Sequence, residues 1–278
     1  MNYQTSLIEL IKIRKSSRTF EDRPIETSAL KKINDFISQI NKEIQIKARF
    51  IVTISEAAKG SPTKLGTYGV ITGAYTFIIG IVDKDEKDAV TFGYMFEKII
   101  LFATDLGLQT CWLGGTFNKG NFTKNTELGA NEIIPIVSPL GYRKEKVKLL
   151  ESAMRSLAGS DQRKPWHELF FNKDSSTSLS ESDAGGYALA LEMLRLSPSA
   201  SNKQPWRVIM THNRFDFYLT RTAGYQRMGF DLQKNDIGIA MCHFELSAIE
   251  LGLKGRWKVY GNIEASAEWE YVTTWEIE

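Results

Sequence analysis

Arg14, Lys15, Ser16, Ser17 and Arg18 put three cations and two hydroxyls into five consecutive residues. Guanidinium forks and a hydroxyl suit a phosphate dianion, which needs several charge-assisted donors at once. The same run would equally serve as a solvated basic helix end, where cations offset the negative end of the helix dipole. A second candidate runs from Leu196 to Trp206 and reads LSPSASNKQPW. Pro198 and Pro205 bracket it, and neither continues a regular hydrogen-bonded element. Between them Ser199, Ala200, Ser201 and Asn202 are too small to crowd a ligand away from the backbone, while Gln204 and Trp206 add an amide and a large flat ring. The plain alternative is a helix-to-strand connection ending in a core tryptophan. Gly114 and Gly115, which follow Cys111-Trp112-Leu113, form a third candidate. Paired glycines let the main chain approach a flat ring closely, or simply make a tight turn out of a helix.

The elements that must position these groups follow from periodicity. Leu7, Ile8, Leu10 and Ile11 predict an amphipathic helix ending at the basic run. A second helix is expected after Pro24, capped near Thr27-Ser28, with Leu30, Ile33, Phe36, Ile37 and Ile40 on one face. Strands are expected over Arg49 to Ile54, Thr76 to Val82, Ile133 to Val137 and Arg207 to Met210. A loop is expected over Ser61 to Gly73, and a charged, helix-prone connection over Lys144 to Gly159. Phe92 to Leu106 is apolar around much of its circumference and reads as a buried helix, with Gly107 placed for a left-handed cap.

Composition excludes several classes of function. Lys and Arg number 35 against 33 Asp and Glu, a net charge of +2, so nothing suggests a surface for nucleic acid. Cys111 and Cys242 have neither metal-ligand spacing nor a disulfide framework, and His167, His212 and His243 are scattered, so no metal site is expected. The apolar run Val70 to Val82 is too short to span a bilayer, and the N-terminal stretch lacks the order of a secretory signal. A soluble cytoplasmic protein without a membrane partner is the expectation.

The chain also repeats itself. Phe92–Trp112 aligns with Ile237–Trp257 without a gap, and seven of the twenty-one positions are identical. Gly93 falls on Gly238, Leu106-Gly107-Leu108 on Leu251-Gly252-Leu253, and Trp112 on Trp257, while Arg49–Thr53 aligns with Arg207–Thr211. Two copies are too few for a solenoid and suggest a fused pseudo-dimer.

The run Pro198 to Trp206 resembles the P-S-x-x-N-x-Q-P-W signature of the FMN-dependent nitroreductase family, and Arg14, Ser16 and Arg18 match its R-x-S-x-R/K pattern. GLQTCWLGG and the DIGIAM…GL helix support the likeness, which is nearest to the fused group labelled putative TM nitroreductases. The resemblance implies an α+β, nitroreductase-like fold. Its two duplicated halves, 1–160 and 161–278, would be joined as an intramolecular pseudo-dimer acting as a monomer. It implies that Arg14, Lys15, Ser16 and Arg18 hold the phosphate and ribityl chain of FMN, and that Pro198, Ser199, Ala200 and Asn202 lie against the isoalloxazine ring. Gly114 or Gly115 would offer a backbone N–H to the ring. Arg163, in Arg163-Lys164-Pro165, would return a second arginine to the phosphate, or would be an ordinary linker charge; Asp161 stands where the family often has a lysine. Each main motif occurs once and in opposite halves, which predicts one FMN per chain. The implied activity passes electrons from NAD(P)H through flavin to a nitroaromatic, quinone or similar acceptor. FMN carries that chemistry, so no side chain is named catalytic. A flavin-sequestering protein with little turnover is the alternative. Arg221 and Arg227 are candidates for the rim of a substrate mouth.

Overall fold

In a computed structural model the described residues are 3–54, 71–115, 117, 122–123, 126–144, 162–223, 225, 229–261 and 263–278. Most of the predicted loop before Gly73, the helix-prone connection after Lys144, Asp161 and Arg227 lie outside them. α1 (Leu7–Ile13) begins at Ser6, whose hydroxyl accepts from the Glu9 N–H, and Arg14 is its C-terminal cap residue. α2 (Thr27–Glu43) buries Ile33, Phe36, Ile37 and Ile40, as the apolar spacing predicts. It starts one residue earlier than the expected Thr27-Ser28 cap, because the Leu30 N–H already bonds the Glu26 carbonyl at 2.9 Å.

Two sheets follow the same plan. β1 (Ala48–Ile54), β2 (Thr76–Asp83), β3 (Gln109–Thr110) and β4 (Glu132–Gly141) form an antiparallel sheet in the order β1-β2-β4-β3. In the second sheet β5 (Phe170–Asn172) lies parallel beside β6 (Trp206–Thr211). β7 (Arg214–Thr220), β8 (Gly255–Lys258) and β9 (Trp269–Ile277) then complete the order β5-β6-β7-β9-β8. Removing the added edge strand leaves β6-β7-β9-β8, the order of the first sheet. In each sheet the second of these strands is irregular against its later neighbour, at Gly80/Val82 and at Phe217/Tyr218.

Between the sheets run two long helices, α3 (Ala89–Asp105) and α5 (Leu232–Glu250); α4 (Ala188–Arg195) packs on α5. Each long helix is capped by an aspartate, Asp88 accepting from the Thr91 N–H and Asp231 from the Lys234 N–H. Each ends on a glycine at φ +73°, Gly107 and Gly252, and the next residue's N–H returns at 2.9 Å to the Ala103 or Ala248 carbonyl. The glycine ends fall on aligned positions, while the aspartate caps lie two residues out of alignment, so at the C-terminal ends the sequence repeat is a repeat of backbone structure.

α3 and α5 cross at Gly93 and Gly238. A Cβ added at Gly93 would stand 2.2 Å from the Asn235 carbonyl oxygen, and one added at Gly238 would stand 1.9 Å from that of Val90. Val90 and Asn235 are themselves aligned positions, so the two contacts exchange under a pseudo-two-fold rotation. Both helices are buried nearly all round, between Phe50, Ile78 and Ile136 on one side and Phe215, Phe217 and Trp275 on the other. Trp206, the tryptophan closing the LSPSASNKQPW run, is fully buried in the second of these clusters.

Candidate functional site

The basic run is zipped onto β3. Ser16 bridges Thr110, the Ser17 N–H donates to the Thr110 carbonyl at 2.9 Å, and the Ser17 hydroxyl donates to Gln109 Oε1 at 3.0 Å. That pairing turns Arg14 inward, where only 8% of it remains exposed, while Lys15 stays exposed and Ser16 and Arg18 are half-buried. RKSSR is therefore not a solvated helix end.

Arg14 points at a buried acid. Its Nε lies 3.9 Å from Glu97 Oε1, an electrostatic contact too long for a hydrogen bond. Its Nε and Nη1 are buried without a hydrogen-bond partner among the described residues. Glu97, on α3, is fully buried; it accepts from Trp112 Nε1 at 2.8 Å and meets His243 Nε2 of α5 at 2.9 Å. His243 Nδ1 lies 3.1 Å from the Met193 carbonyl, which can only accept, so Nδ1 carries a proton. A proton must then also lie between Nε2 and the Glu97 carboxylate. With that shared proton the His243–Glu97 pair is neutral overall, and Arg14 keeps its full charge. Buried donors without partners beside an uncompensated cation suit an anionic group.

The second stretch is a strained loop. Ser201, Asn202 and Gln204 have φ of 48°, 54° and 49°, a left-handed cluster of non-glycine residues that costs about 1–3 kcal/mol each. The loop holds this shape through its own bonds: the Gln204 N–H donates to Ser199 Oγ at 2.8 Å, and Gln204 Oε1 accepts from the Lys164 N–H at 2.8 Å. Arg163 Nη2 donates to the Leu196 carbonyl at 3.0 Å and its Nη1 to Asn202 Oδ1 at 3.4 Å, while Asn202 Nδ2 donates to the Gln162 carbonyl at 2.9 Å. Arg163 is thus joined to the loop. Pro198, Ser199 and Ala200 are half-buried.

α5 touches both the loop and the Gly114 turn. The Ala200 N–H donates to both carboxylate oxygens of Asp236, at 3.1 and 3.0 Å. Leu232, one turn earlier, presses on Gly114, where an added Cβ would meet its side chain at 2.7 Å. Trp112, Ala200, Phe230 and Leu232 share one apolar cluster. The close approach at Gly114 is thus made by a leucine, and Gly115 is exposed.

Burial raises the Asp236 carboxyl well above its usual range, with the Ala200 N–H opposing and the Asp231 charge adding to the rise. The folded chain therefore binds a proton there more tightly than the unfolded chain does. Stability from this group is complete below the ordinary carboxyl pKa and is lost as pH rises towards the raised one. Asp236→Asn is expected to flatten that loss, seen as denaturation midpoints that fall less between pH 4 and pH 7 than in the unaltered chain. An unchanged pH slope would show that Asp236 does not titrate in this way.

Glu97 and His243 are site residues that sequence motifs do not mark, and Asp236 opens the DIGIAM motif without a contact being expected of it. A signal exists, since each is a charged or polar residue inside an otherwise buried helix. Arg221 is committed to two carboxylates. It forks between Asp231 at 2.8 Å and Glu270 at 2.6 Å and ties the start of α5 to β9. Among the described residues there is no cluster of potential metal ligands, and no helix is long and apolar enough to cross a membrane.

A family model described as "Putative TM nitroreductase" matches residues 6–248. The chain belongs to this family. The nitroreductase-like fold is also that of a crystal structure described as a putative nitroreductase from Thermotoga maritima. The two share 18% identity at a TM-score of 0.59, over 100% of this chain and 96% of the other. A nitroreductase family protein from Clostridium novyi is 25% identical, with a TM-score of 0.41 over 52% of this chain and 87% of its own. An FMN-dependent nitroreductase from Clostridium difficile is 21% identical, with a TM-score of 0.41 over 51% of this chain and 90% of its own. No curated protein matches.

Proposed function

We propose that this nitroreductase-family chain is an FMN-dependent oxidoreductase holding one flavin between its two halves, 1–160 and 161–278, as a fused pseudo-dimer. The observation that carries this reading is buried Arg14, with guanidinium nitrogens that lack hydrogen-bond partners among the described residues and a charge that the His243–Glu97 pair leaves uncompensated. Arg14, Lys15, Ser16 and Arg18 would hold the phosphate and ribityl chain. Pro198, Ser199, Ala200 and Asn202 would border the ring, with Gly114 and Gly115 as backbone neighbours. Arg163 would also brace the loop, since it donates to the Leu196 carbonyl and to Asn202 Oδ1.

Bound FMN would supply the redox chemistry, taking electrons from NAD(P)H and passing them to a nitroaromatic, a quinone or a similar acceptor. The chain's own part is placement. β3 fixes the basic run, α5 touches the Gly114 turn through Leu232 and the loop through Asp236, and hydrogen bonds to Ser199 and from Lys164 hold the strained 201–204 backbone in shape. Preorganisation of this kind lowers the ordering cost of binding.

The test is a saturating FMN titration of purified protein, followed by mixing of the loaded protein with NADH or NADPH. A plateau near one FMN per chain and bleaching of the flavin absorbance by either nucleotide are expected. A plateau at two would overturn the single-site reading. Binding without bleaching would favour flavin sequestration.

A further inference from the structure

The pseudo-two-fold rotation that exchanges α3 and α5 also moves the neighbourhood of Trp112, Gly114 and Leu232 onto that of Trp257, Val259 and Lys87. The two neighbourhoods differ. On the first side Leu232 closes against Gly114. On the second, Trp257, Val259 and Lys87 stand on the wall of a cavity of about 510 Å³. That volume lies within the ordinary range for small-molecule sites. No RKSSR run serves this side.

The lining defines a ligand class. Tyr94, Trp257 and Tyr271 supply aromatic surface, and Met95 and Met241 supply soft, polarisable surface. Among them stands Glu245. Its Oε2 accepts from Tyr94 Oη and from Trp257 Nε1, both at 2.7 Å, which pins both rings around the carboxylate. Its Oε1 has no partner among the described residues. The other charges on the wall are largely committed. Asp88 accepts from the Thr91 N–H at 2.8 Å and the Thr91 hydroxyl at 2.6 Å, and Lys234 pairs with Glu270 at 2.9 Å. Lys87 is exposed at the rim, and so is Val259, 77% accessible.

We propose that this cavity is a second binding site, distinct from the flavin site, for a compact aromatic molecule carrying an ammonium group. The ring lies among Tyr94, Trp257 and Tyr271, and the ammonium donates to Glu245 Oε1. The inference stands on the cavity and on Glu245, and holds whether or not flavin binds on the other side.

Isothermal titration of the purified chain, with and without saturating FMN, tests it with a matched pair of probes. 1-Naphthylmethylammonium carries the charge, and 1-naphthylmethanol is its neutral isostere. The ammonium probe is expected to bind one per chain and at least about tenfold more tightly than the alcohol. Glu245→Gln keeps an acceptor for Tyr94 and Trp257 and should erase that preference. Lys87→Ala removes a like charge at the rim and should strengthen binding of the ammonium alone. Val259→Trp, at an exposed position, should weaken both probes by narrowing the mouth, while far-UV circular dichroism stays unchanged. Equal affinity for the two probes would overturn the proposal, as would a preference that survives Glu245→Gln. Competition between the ammonium probe and FMN would place the probe in the flavin site and overturn it too.

Discussion

Arg14→Ala is expected to weaken FMN binding by about 2–5 kcal/mol, the usual cost of truncating one partner of a buried charge pair. Riboflavin, which has no phosphate, should lose far less. In dissociation constants the FMN effect is roughly 30- to 5,000-fold. The size follows from where the guanidinium sits. It is 8% exposed, so water screens it little, and the proton shared by Glu97 and His243 leaves its charge undivided. Arg14→Lys keeps the charge but loses the planar fork, and should fall between the two. Flavin fluorescence titrations of the three proteins, with both flavins, give the comparison. Equal weakening for FMN and riboflavin would mean that Arg14 serves the fold and not a phosphate. The Glu97→Gln variant is informative beside it, because Trp112 keeps an acceptor while the shared proton loses its place.

Much of this site is legible in the chain, for reasons that differ by residue. Arg14, Ser16 and Arg18 stand out because cations and a hydroxyl crowd five positions. What composition cannot tell is that β3 turns Arg14 inward, since that depends on Ser16 and Ser17 pairing with Gln109 and Thr110, over ninety residues away. The proline-bracketed loop is visible in sequence, whereas its left-handed Ser201, Asn202 and Gln204 are not, because these residue types do not demand positive φ. Tertiary bonds from Lys164 and Asp236 hold that backbone in place. The repeat is legible through Gly93, Gly238 and the paired tryptophans. The added β5 edge has no counterpart among the described residues of the first sheet, so alignment of the halves does not reveal it. Arg221 is a different case: the two carboxylates that hold it, Asp231 and Glu270, are ten and forty-nine residues away, and no local pattern announces them.

The helix crossing carries the other large expected effect. Gly238→Ala would put a methyl 1.9 Å from the Val90 carbonyl oxygen and 2.7 Å from the Tyr94 nitrogen, both backbone atoms that cannot swing aside. Overpacking usually costs about 1–3 kcal/mol, and a contact this close with main chain belongs at or above the top of that range. For a chain of this size about 3 kcal/mol corresponds to a fall in melting temperature of roughly 6–12 °C. Gly93→Ala meets the Asn235 carbonyl at 2.2 Å and should cost a similar amount. The pair tests the pseudo-two-fold crossing itself. Both methyls force the same two helices apart, so once the first has done so the second meets less resistance. The double variant should therefore lose distinctly less than the sum of the singles. Gly107→Ala serves as the control: its φ of +73° strains any side chain, yet an added Cβ meets nothing within 4 Å, so its loss should simply add to either crossing variant. Thermal melts of the three singles and the three doubles supply every term. Strict additivity of Gly93→Ala and Gly238→Ala would mean that the two glycines act at separate contacts, and the shared crossing would have to be abandoned. Separation of α3 from α5 also pulls Glu97 away from His243, so FMN affinity should fall in the crossing variants and hold in Gly107→Ala.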